Sequence, residues 1–542
     1  MNSEEPKLFD SKMVIAILAT GLIFIGWQSY MAKKYPEAYK KKTVVEQTKS
    51  PEATAANAAA TTPEQKSNTN TETVTGNATS ELVAQNAKPA QVFKFEGKNA
   101  SFEVSSAGFS VQNYSIKTYK DSEGQPIALR GIDQYKLFEI LYLDQKTNFD
   151  VSETGPGQYE GVARIGDTEI RRILSYDPSK YTFSSTIRVI RPADVFYQRG
   201  IQMMIPDRIS EHKNTSWLFP SFQHQDFIVL EGSNNKRQII NVDKSKENVS
   251  KNFPVGHLAS INTQYFSLAV LDQSEIIPSV DLVSAIAERD AYAKVTYKPV
   301  SAKEEFIFNQ TLYAGPKSHD LLASIHPDMK ELINFGFFGM IGEPLLLLMK
   351  WFHSLIGNWG LAIIMLTIFV RFLVLPLYLM SVKSMKAMQK IQPMMKAIQE
   401  KHKADPMTMN REVMALMKEH KANPLGGCLP MLLQIPIFFA LYQVIASSIE
   451  LYQSPFIFWI KDLSMSDPFF VLPVLMGVMM WFQQKITPTT MDPAQAKILA
   501  FMPIIFSVFM LSLPSGLTLY MCVSSLFGIA QQLILVPHKK TT

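Results

Sequence analysis

The sequence predicts a multi-domain membrane protein with six α-helical transmembrane spans, a large exterior antiparallel β-sandwich and a cytoplasmic helical hairpin. Three observations predict this fold class. Of the 27 methionines, 21 lie at or beyond Met340, and the same half of the chain carries several long apolar runs. Residues 33–330 are instead polar, and from Gln91 onward apolar and polar side chains alternate as in half-buried strands. A single cytosolic globule is therefore excluded.

The composition also excludes several kinds of site. Both cysteines, Cys428 and Cys522, lie in the apolar half, so the polar half has neither a disulfide framework nor a cysteine-based zinc site. The net charge of +5 is small and dispersed, so no nucleic-acid partner is expected.

The transmembrane spans are predicted from run length, because a bilayer core of about 30 Å needs roughly 20 mostly apolar residues. Six runs meet this requirement or approach it: 13–30, 359–380, 429–449, 468–483, 498–513 and 517–536. The first could be a cleaved signal peptide, but Tyr30 is bulky where cleavage needs a small side chain, which favours an uncleaved anchor. The predicted domains are therefore an N-terminal end with the first anchor (1–32), a second span (359–380) and spans three to six (429–536).

The orientation follows from positive charge in the short loops. Residues 381–429 carry nine basic and four acidic side chains, so this loop is predicted to be cytoplasmic. The loop before residue 498 and the short tail 537–542 add lysines on the same side, whereas loop 450–467 has only Lys461. The N-terminus is then cytoplasmic and residues 33–358 are exterior. Five lysines between residues 33 and 42 would by themselves favour a cytoplasmic position for the end of the first span. Long exterior domains, however, translocate largely regardless of such charges.

The exterior region is predicted to have three parts. Residues 33–90 form a flexible linker, because most of this stretch has too few large apolar side chains to offset the entropy of ordering. Residues 91–335 form the β-sandwich, since turn-forming residues separate the alternating runs. Residues 336–358 form an amphipathic helix in the outer interface, although this segment could instead extend the second span. The histidines His212, His224 and His257 are scattered singly, and no catalytic group is expected.

Arg371 is the residue on which the functional interpretation rests. It is the eleventh of the 19 residues in the apolar stretch 361–379, and about 13 Å of helix rise separates it from Met380. A charge at that depth costs about 2.5–3.5 kcal/mol on insertion scales, so it needs a partner or water. The six predicted spans contain no Asp, Glu or His, so they offer no partner for an ion pair.

The spans do contain uncharged polar side chains: Thr367, Gln434, Gln443, Ser507, Ser512, Thr518, Tyr520, Ser524 and Ser525. We expect Thr367, Gln434 and Tyr520 to line a hydrated concavity around Arg371 that attracts anionic polypeptide segments. Alternatively, these residues are interhelical glue and Arg371 bonds to backbone carbonyls. The lack of acids and histidines in the spans disfavours an ion-coupled transporter, an intramembrane serine protease and a metal site.

The cytoplasmic segment 381–428 predicts a helical hairpin, with helices over 382–402 and 410–421 separated by Ala404-Asp405-Pro406. An apolar stripe at helical spacing follows the first helix: Met388, Ile391, Met395 and Ile398. Flexible, polarizable methionines suit a surface that captures many different apolar segments. The same stripe could instead be the seam between the two helices.

Several motifs resemble one known family, the YidC membrane protein insertases. They are Asn358-Trp359-Gly360, Thr367-Ile368-Phe369-Val370-Arg371 followed by Pro376-Leu377, Asn423-Pro424-Leu425-Gly426-Gly427-Cys428-Leu429-Pro430 leading to Gln434-Ile435-Pro436-Ile437-Phe438, Pro488-Thr489-Thr490 and Pro514-Ser515-Gly516-Leu517. The resemblance covers about 345–536. The first span and the large exterior domain resemble the Gram-negative form of the family, in which that domain is periplasmic.

The resemblance implies a five-helix core in the bacterial inner membrane, with a groove open to cytoplasm and lipid and closed outside. The family's groove arginine corresponds to Arg371 and its neighbouring polar positions to Thr367 and Gln434, while Tyr520 or Met521 takes its tyrosine position. The implied partners are nascent membrane proteins, the lipid bilayer, the Sec translocon and, at the hairpin, the ribosome and the signal recognition machinery. No cofactor, metal or enzymatic activity is expected.

Two other functions stay open at this point. The chain could be an anion or small-molecule transporter that uses Arg371 as its binding cation. It could also be an anchored exterior binding module. The module requires most of residues 91–330, whereas an insertase should tolerate their loss if residues 335–542 stay intact.

Overall fold

The computed structural model describes residues 89–535 apart from 122, 211–223, 233, 243–246, 403–404, 421–428 and 488–492. The predicted first span at 13–30, all but two residues of the linker and the tail 537–542 lie outside the described residues. The motif around Pro424 and the Pro488-Thr489-Thr490 motif lie outside them as well.

The exterior region is rich in β-structure, as the alternation predicts. The strands are β1 (Val92–Glu96), β2 (Ala100–Ser105), β3 (Ser110–Lys120), β4 (Pro126–Leu129), β5 (Glu139–Tyr142), β6 (Gln145–Lys146), β7 (Asp150–Gly155), β8 (Gln158–Ile165), β9 (Thr168–Asp177), β10 (Thr182–Ile190), β11 (Ile201–Arg208), β12 (Asp226–Glu231), β13 (Lys236–Asn241), β14 (Val249–Phe253), β15 (Gly256–Asn262), β16 (Phe266–Asp272), β17 (Ser279–Ala285), β18 (Asp290–Tyr297) and β19 (Glu305–Pro316). They form a sheet ordered β1-β2-β3-β4, a sheet ordered β13-β12-β15-β16-β19-β10-β9-β8-β7 and a sheet ordered β14-β17-β18-β11-β5-β6.

The nine-stranded sheet is the base on which the two smaller sheets pack. Phe183 of this sheet meets Phe102 of the four-stranded sheet with 5.0 Å between ring centroids, and Phe308 meets Tyr297 of the six-stranded sheet at 4.5 Å. Phe183 lies opposite Leu312, which has the same strand parity as Phe308, so both contacts lie on one face of the base sheet. The domain is thus a sandwich whose second layer consists of two sheets.

The described helices follow in chain order. They are α1 (Phe196–Arg199), α2 (His319–Ile325), α3 (Gly339–Ile356), α4 (Trp359–Lys401), α5 (Pro406–Glu419), α6 (Leu429–Ser447), α7 (Val471–Ile486), α8 (Pro493–Met510) and α9 (Ser515–Leu535). Helix α3 ends at Gly357, whose φ of 74° lies in the left-handed region that favours glycine. Asn358 then caps α4 by accepting a hydrogen bond from the Leu361 amide at 3.0 Å. The break predicted between 336–358 and the next helix is present.

The predicted boundary between span and hairpin needs correction. Helix α4 continues through residue 382 without interruption, and Pro376 and Pro393 lie inside it. Helix α5 begins at Pro406, four residues before the predicted start, because Asp405 accepts hydrogen bonds from the Met407 and Thr408 amides at 3.1 Å. The first helix of the hairpin is therefore a continuation of the predicted second span, and a short connection joins it to α5.

Each of the five later predicted spans coincides with an apolar helix. By length and composition, α4 and the Ser515–Ile534 part of α9 could cross a bilayer. Shorter apolar stretches occur in α6, α7 and α8, at Gln434–Ser447, Val471–Ile486 and Ala500–Met510. The number of spans stays a prediction.

The β-domain lies at one end of the helical bundle. The Gln264 side chain donates a hydrogen bond to the Ala446 carbonyl at the C-terminal end of α6 at 2.5 Å. The Ser515 amide at the start of α9 donates to the Met465 carbonyl at 2.7 Å. The β-domain, the loop between α6 and α7 and the start of α9 therefore share one end, which agrees with the predicted placement of loop 450–467 and the β-domain on one side.

Candidate functional site

Arg371 lies on α4 and faces α9. Its Nε atom donates to the Ser524 hydroxyl at 3.0 Å, and its Nη2 atom donates to the same oxygen. The side chain is half-buried. Within the described parts of the chain, no carboxylate forms an ion pair with Arg371, although a guanidinium offers five N–H donors. The cation is therefore held in place by one hydroxyl and keeps donors for a further acceptor.

Gln434 and Tyr520 contact each other one helical turn from Ser524. The Gln434 amide on α6 donates a hydrogen bond to the phenolic oxygen of Tyr520 on α9. Tyr520 precedes Ser524 by one helical turn, so Arg371, Ser524, Tyr520 and Gln434 form a continuous row across α4, α9 and α6. We call these four residues the polar row. Tyr520, rather than its neighbour Met521, makes the contact with Gln434.

The structure places Thr367 differently from the rest of this set. Thr367 and Tyr520 are both buried, at 1% and 2% exposed, but the Thr367 hydroxyl donates to the Ile363 carbonyl of its own helix at 2.7 Å. A hydroxyl bonded to the preceding turn is satisfied within its helix. The hydrogen bonds thus join Gln434 to Tyr520 and Arg371 to Ser524, and they leave Thr367 one turn away from Arg371 on the same helix.

Other polar side chains of the helices bond to backbone, as the interhelical alternative predicts. Ser507 of α8 donates to the Pro473 carbonyl of α7 at 2.7 Å. Ser512 donates to the Phe509 carbonyl, and Thr518 to Pro514. These hydroxyls join helices or close local turns, whereas the polar row joins side chain to side chain.

A second polar contact was missed by the sequence reasoning. The Tyr378 hydroxyl on α4 donates to the Gln532 side chain on α9 at 2.8 Å. Because Tyr378 follows Arg371 and Gln532 follows Ser524, α4 and α9 run parallel and are fastened twice. The signal available in the sequence was the seven-residue spacing from Arg371 to Tyr378, which puts both on one face of a helix.

The outer surface of the bundle is apolar over a wide area. The helices expose the following large apolar side chains: Phe369, Phe372, Leu373, Val474, Val478, Trp481, Phe501, Ile504, Ile505, Leu526 and Ile534. A soluble monomer rarely exposes so many contiguous apolar residues, and such a surface is typical of contact with lipid. The polar row therefore lies inside a bundle whose exterior suits a bilayer.

The hairpin residues lie mainly between its two helices. Met388 and Ile391 are buried, and Met395 packs against them together with Leu416 and Met417 of α5. Ile398 is half-buried farther along the same stripe. The structure places the stripe in the seam, which was the second interpretation of its spacing.

Other methionines of the hairpin are exposed instead. Met407 is 80% exposed, and Met394 and Met414 are exposed as well. These three lie off the predicted stripe, so a capture surface on the hairpin would use them. The described residues contain no group of three or more His, Cys, Asp or Glu side chains placed to hold a metal ion.

Two segments of the chain match known protein families. Residues 351–541 match the family model of the 60Kd inner membrane protein, and residues 145–348 match that of the YidC periplasmic domain. The membrane protein insertase YidC of Citrifermentans bemidjiense is 33% identical over 449 residues, which are 79% of this chain and 82% of the relative. The corresponding insertase of Geotalea daltonii is 46% identical over 271 residues, about half of each chain. A crystal structure of an active YidC insertase with its first transmembrane domain resolved covers 83% of this chain and 95% of its own, with 18% identity and a TM-score of 0.38.

Proposed function

Since the chain belongs to the YidC membrane protein insertase family, a family of inner-membrane proteins rather than enzymes, we propose that it inserts proteins into the bacterial inner membrane and helps them fold. Its clients are nascent membrane proteins. It acts alone or with the Sec translocon, and the hairpin receives the ribosome or the signal recognition machinery. No cofactor takes part.

The observation that carries the proposal is Arg371 at the end of the polar row. A lone cation within an apolar helix is costly unless it is hydrated or meets an anion. Ser524 uses Nε and Nη2, and a carboxylate of a client can bind the remaining guanidinium donors as a charge-assisted pair. Tyr520 and Gln434 continue the row across to α6. The row therefore offers a client's acidic or polar flank hydrogen-bonding partners inside the bundle.

Insertion of a client needs no chemical energy source in the chain itself. An apolar client segment reaches the exposed methionines of the hairpin first, and the polar row then holds its polar flank. The apolar segment leaves sideways into lipid, and its removal from water is the driving force. The groove opens to the cytoplasm and the lipid and is closed outside by the loop between α6 and α7.

The proposed topology is multi-pass, with both termini cytoplasmic and residues 33–358 periplasmic. Two contacts at the β-domain end of the bundle support a common side for these parts. Lys350 of α3 forms an ion pair with Glu450 at 2.9 Å, and Tyr265 of the β-domain packs on Tyr452 with 4.7 Å between ring centroids. Loop 450–467 is therefore expected on the periplasmic side with the β-domain.

Site-directed photocrosslinking tests this proposal directly. A photoreactive residue at position 434 or 520 should crosslink to a ribosome-stalled membrane protein, whereas one at the fully exposed Val300 of the β-domain should not. A residue at position 367 is expected to crosslink less, because the Thr367 hydroxyl is bonded within its own helix and is not part of the polar row. Equal crosslinking from all positions, or from Val300 alone, would contradict a client path along the polar row.

A second candidate function is transport of a small anion, because the same free donors of Arg371 could bind one. Vesicles depleted of the protein distinguish the two functions. Loss of anion flux with normal insertion of small membrane proteins would favour the transporter, and the opposite result supports the insertase.

A further inference from the structure

The loop between α6 and α7 exposes a cluster of large apolar side chains at the periplasmic end of the bundle. We call residues 455–470 the outer shelf. Phe458 is 85% exposed and Phe469 is 68% exposed. Ile457, Met465 and Phe470 are exposed as well. So many aromatic side chains in water would be unfavourable, which suggests that something apolar covers them.

The backbone of the shelf is arranged to point these side chains outward. Phe458 has a φ of 52° and Phe470 a φ of 56°, in the left-handed region that bulky residues rarely adopt. Such strain persists only where the surrounding structure enforces it, and it is concentrated at functional positions. Both strained residues carry exposed aromatic rings.

The strain is supported by a rigid scaffold beneath the shelf. Asp467 is buried and accepts hydrogen bonds from the Trp459 indole at 2.9 Å, the Phe469 amide at 3.0 Å and the Leu472 amide at 2.7 Å. One carboxylate thus fixes the middle of the shelf to its end and to the start of α7. The exposed rings are therefore displayed on an ordered loop.

The shelf packs against the junction between α3 and α4. The Asn358 side chain, at the junction of α3 and α4, donates to the Phe456 carbonyl at 3.3 Å. The Phe456 ring packs so closely on Gly360 that a Cβ there would overlap it. Helix α3 exposes Trp351 and Leu355, and it is the helix that the sequence places in the membrane interface.

The shelf also continues the apolar exterior of α7. The exposed Val474 and Val478 are four residues apart on α7, and the exposed Phe470 immediately precedes this helix. Residues at this spacing lie on one face of a helix. The surface that faces lipid along α7 therefore runs on without a break into the shelf.

We propose that the outer shelf inserts Ile457, Phe458 and Phe469 into the interfacial region of the outer leaflet, as a second membrane anchor beside α3. The occupant of this apolar surface is the phospholipid bilayer itself. Exposed Lys461 on the same loop suits anionic headgroups. This inference rests on the proposed placement of the bundle in the inner membrane.

The test uses the full chain without its two native cysteines, reconstituted into vesicles of phosphatidylethanolamine and phosphatidylglycerol. Phe458→Cys is labelled with an environment-sensitive fluorophore, and Phe469→Cys serves as a second site should the first variant fold poorly. Val300→Cys on the β-domain is the aqueous control, and Val478→Cys on α7 is the lipid control.

The shelf labels should emit at shorter wavelength than the label at 300, be quenched by lipids with a doxyl group near the headgroup, and resist aqueous iodide. Quenching by iodide to the same extent as at 300, while 478 stays in lipid, overturns the shelf and leaves the insertase proposal standing. Iodide access at 458, 469 and 478 together would instead contradict the membrane placement itself. Protection from iodide without quenching by doxyl lipids would show that another copy of the chain covers the shelf, which also overturns the inference.

Discussion

Arg172 of the β-domain and Arg371 of the helical bundle are two guanidinium groups that lie away from every carboxylate of the described residues, yet their surroundings differ. Arg172 is fully buried and donates to the Phe138 carbonyl at 3.0 Å, the Ser185 hydroxyl at 3.2 Å and the Phe109 carbonyl. Arg371 is half-buried and bonds to one hydroxyl.

We interpret the fully buried Arg172 as a structural charge and the half-buried Arg371 as the charge that the proposed function uses for binding. Arg172 joins β9 and β10 to the segments before β3 and β5, so its donors hold three sheets together. Burial lowers the pKa of Arg172 to about 9, and the group remains a cation at neutral pH. In the proposed function, Arg371 uses its remaining donors for an acceptor that arrives from outside. If the two roles are separate, replacing Arg172 should change stability and replacing Arg371 should change insertion.

Replacing Arg172 should have the largest effect, and the effect should be on stability. Arg172→Met leaves two buried carbonyls unsatisfied and loses packing on the Phe109 ring, at a cost of about 3–5 kcal/mol. The Tm of the purified full-length protein should fall by roughly 10 °C, as measured by thermal unfolding in detergent. The exposed Arg164→Met serves as control. An unchanged Tm for Arg172→Met would mean that this arginine does not hold the sheets together.

Replacing Arg371 should affect insertion rather than folding. Arg371→Ala should reduce insertion of clients with acidic tails by about tenfold, which corresponds to about 1.4 kcal/mol, and should affect neutral tails less. Arg371→Lys should retain much of the activity, because the charge remains although the planar fork is lost. Insertion into vesicles measures both variants, and Tm measures folding. Equal defects for acidic and neutral tails would contradict direct charge attraction.

The pH dependence of folding stability tests whether the buried carboxyl of Asp272 in the β-domain affects folding rather than insertion. Burial raises the pKa of this carboxyl from 3.8 to about 6, and the Tyr297 hydroxyl donates to it at 2.8 Å. Because the folded pKa is the higher one, the folded state holds a proton that the unfolded chain releases above about pH 4. The stability that this proton contributes at low pH is therefore lost as the pH rises through 6.

Asp272→Asn should remove this dependence and flatten the fall in Tm between pH 4 and 7, a difference of about 1–2 kcal/mol because the carboxyl is partly exposed. Asp167→Asn, at an exposed turn, should leave the pH profile unchanged. Client insertion by Asp272→Asn should match the parent at pH 7. A profile identical to the parent's would show that Asp272 does not set the pH dependence.

The two arginines also show what the sequence could predict. The depth of Arg371 within an apolar run was visible, because run length and charge position are read directly from the order of residues. The pairing of Gln434 with Tyr520 agrees with the expected convergence, but the partnership of Arg371 with Ser524 depends on how α4 and α9 are rotated, which periodicity alone does not give. Arg172 shares strand parity with Ile170 and Leu174, so its burial had a signal that the sequence reasoning did not use.

A helix boundary could be predicted from the sequence only where a particular residue fixes the backbone conformation. Gly357 ends α3 because its left-handed conformation suits glycine, and the break was predicted. Helix α4 runs on past residue 382 although Pro376 lies within it, because a helix tolerates a proline whose lost hydrogen bond is compensated by packing. The hairpin stripe had the correct period, but period does not tell whether an apolar face meets a partner helix or a client.

Deleting most of residues 91–330 should have the smallest effect on insertion, although it removes Arg172 and every sheet. The β-domain meets the bundle through contacts at its periplasmic end, such as Gln264 with Ala446 and Tyr265 with Tyr452. The polar row is built from α4, α6 and α9, and the Lys350–Glu450 ion pair survives the deletion. Vesicles containing residues 1–90 joined to 335–542 should therefore still insert small clients, and Arg371→Ala in the shortened chain should again reduce insertion of acidic-tailed clients by about tenfold. Complete loss of insertion by a shortened chain that still folds would favour an exterior binding module. The activity would then depend on the β-domain, which contains Arg172.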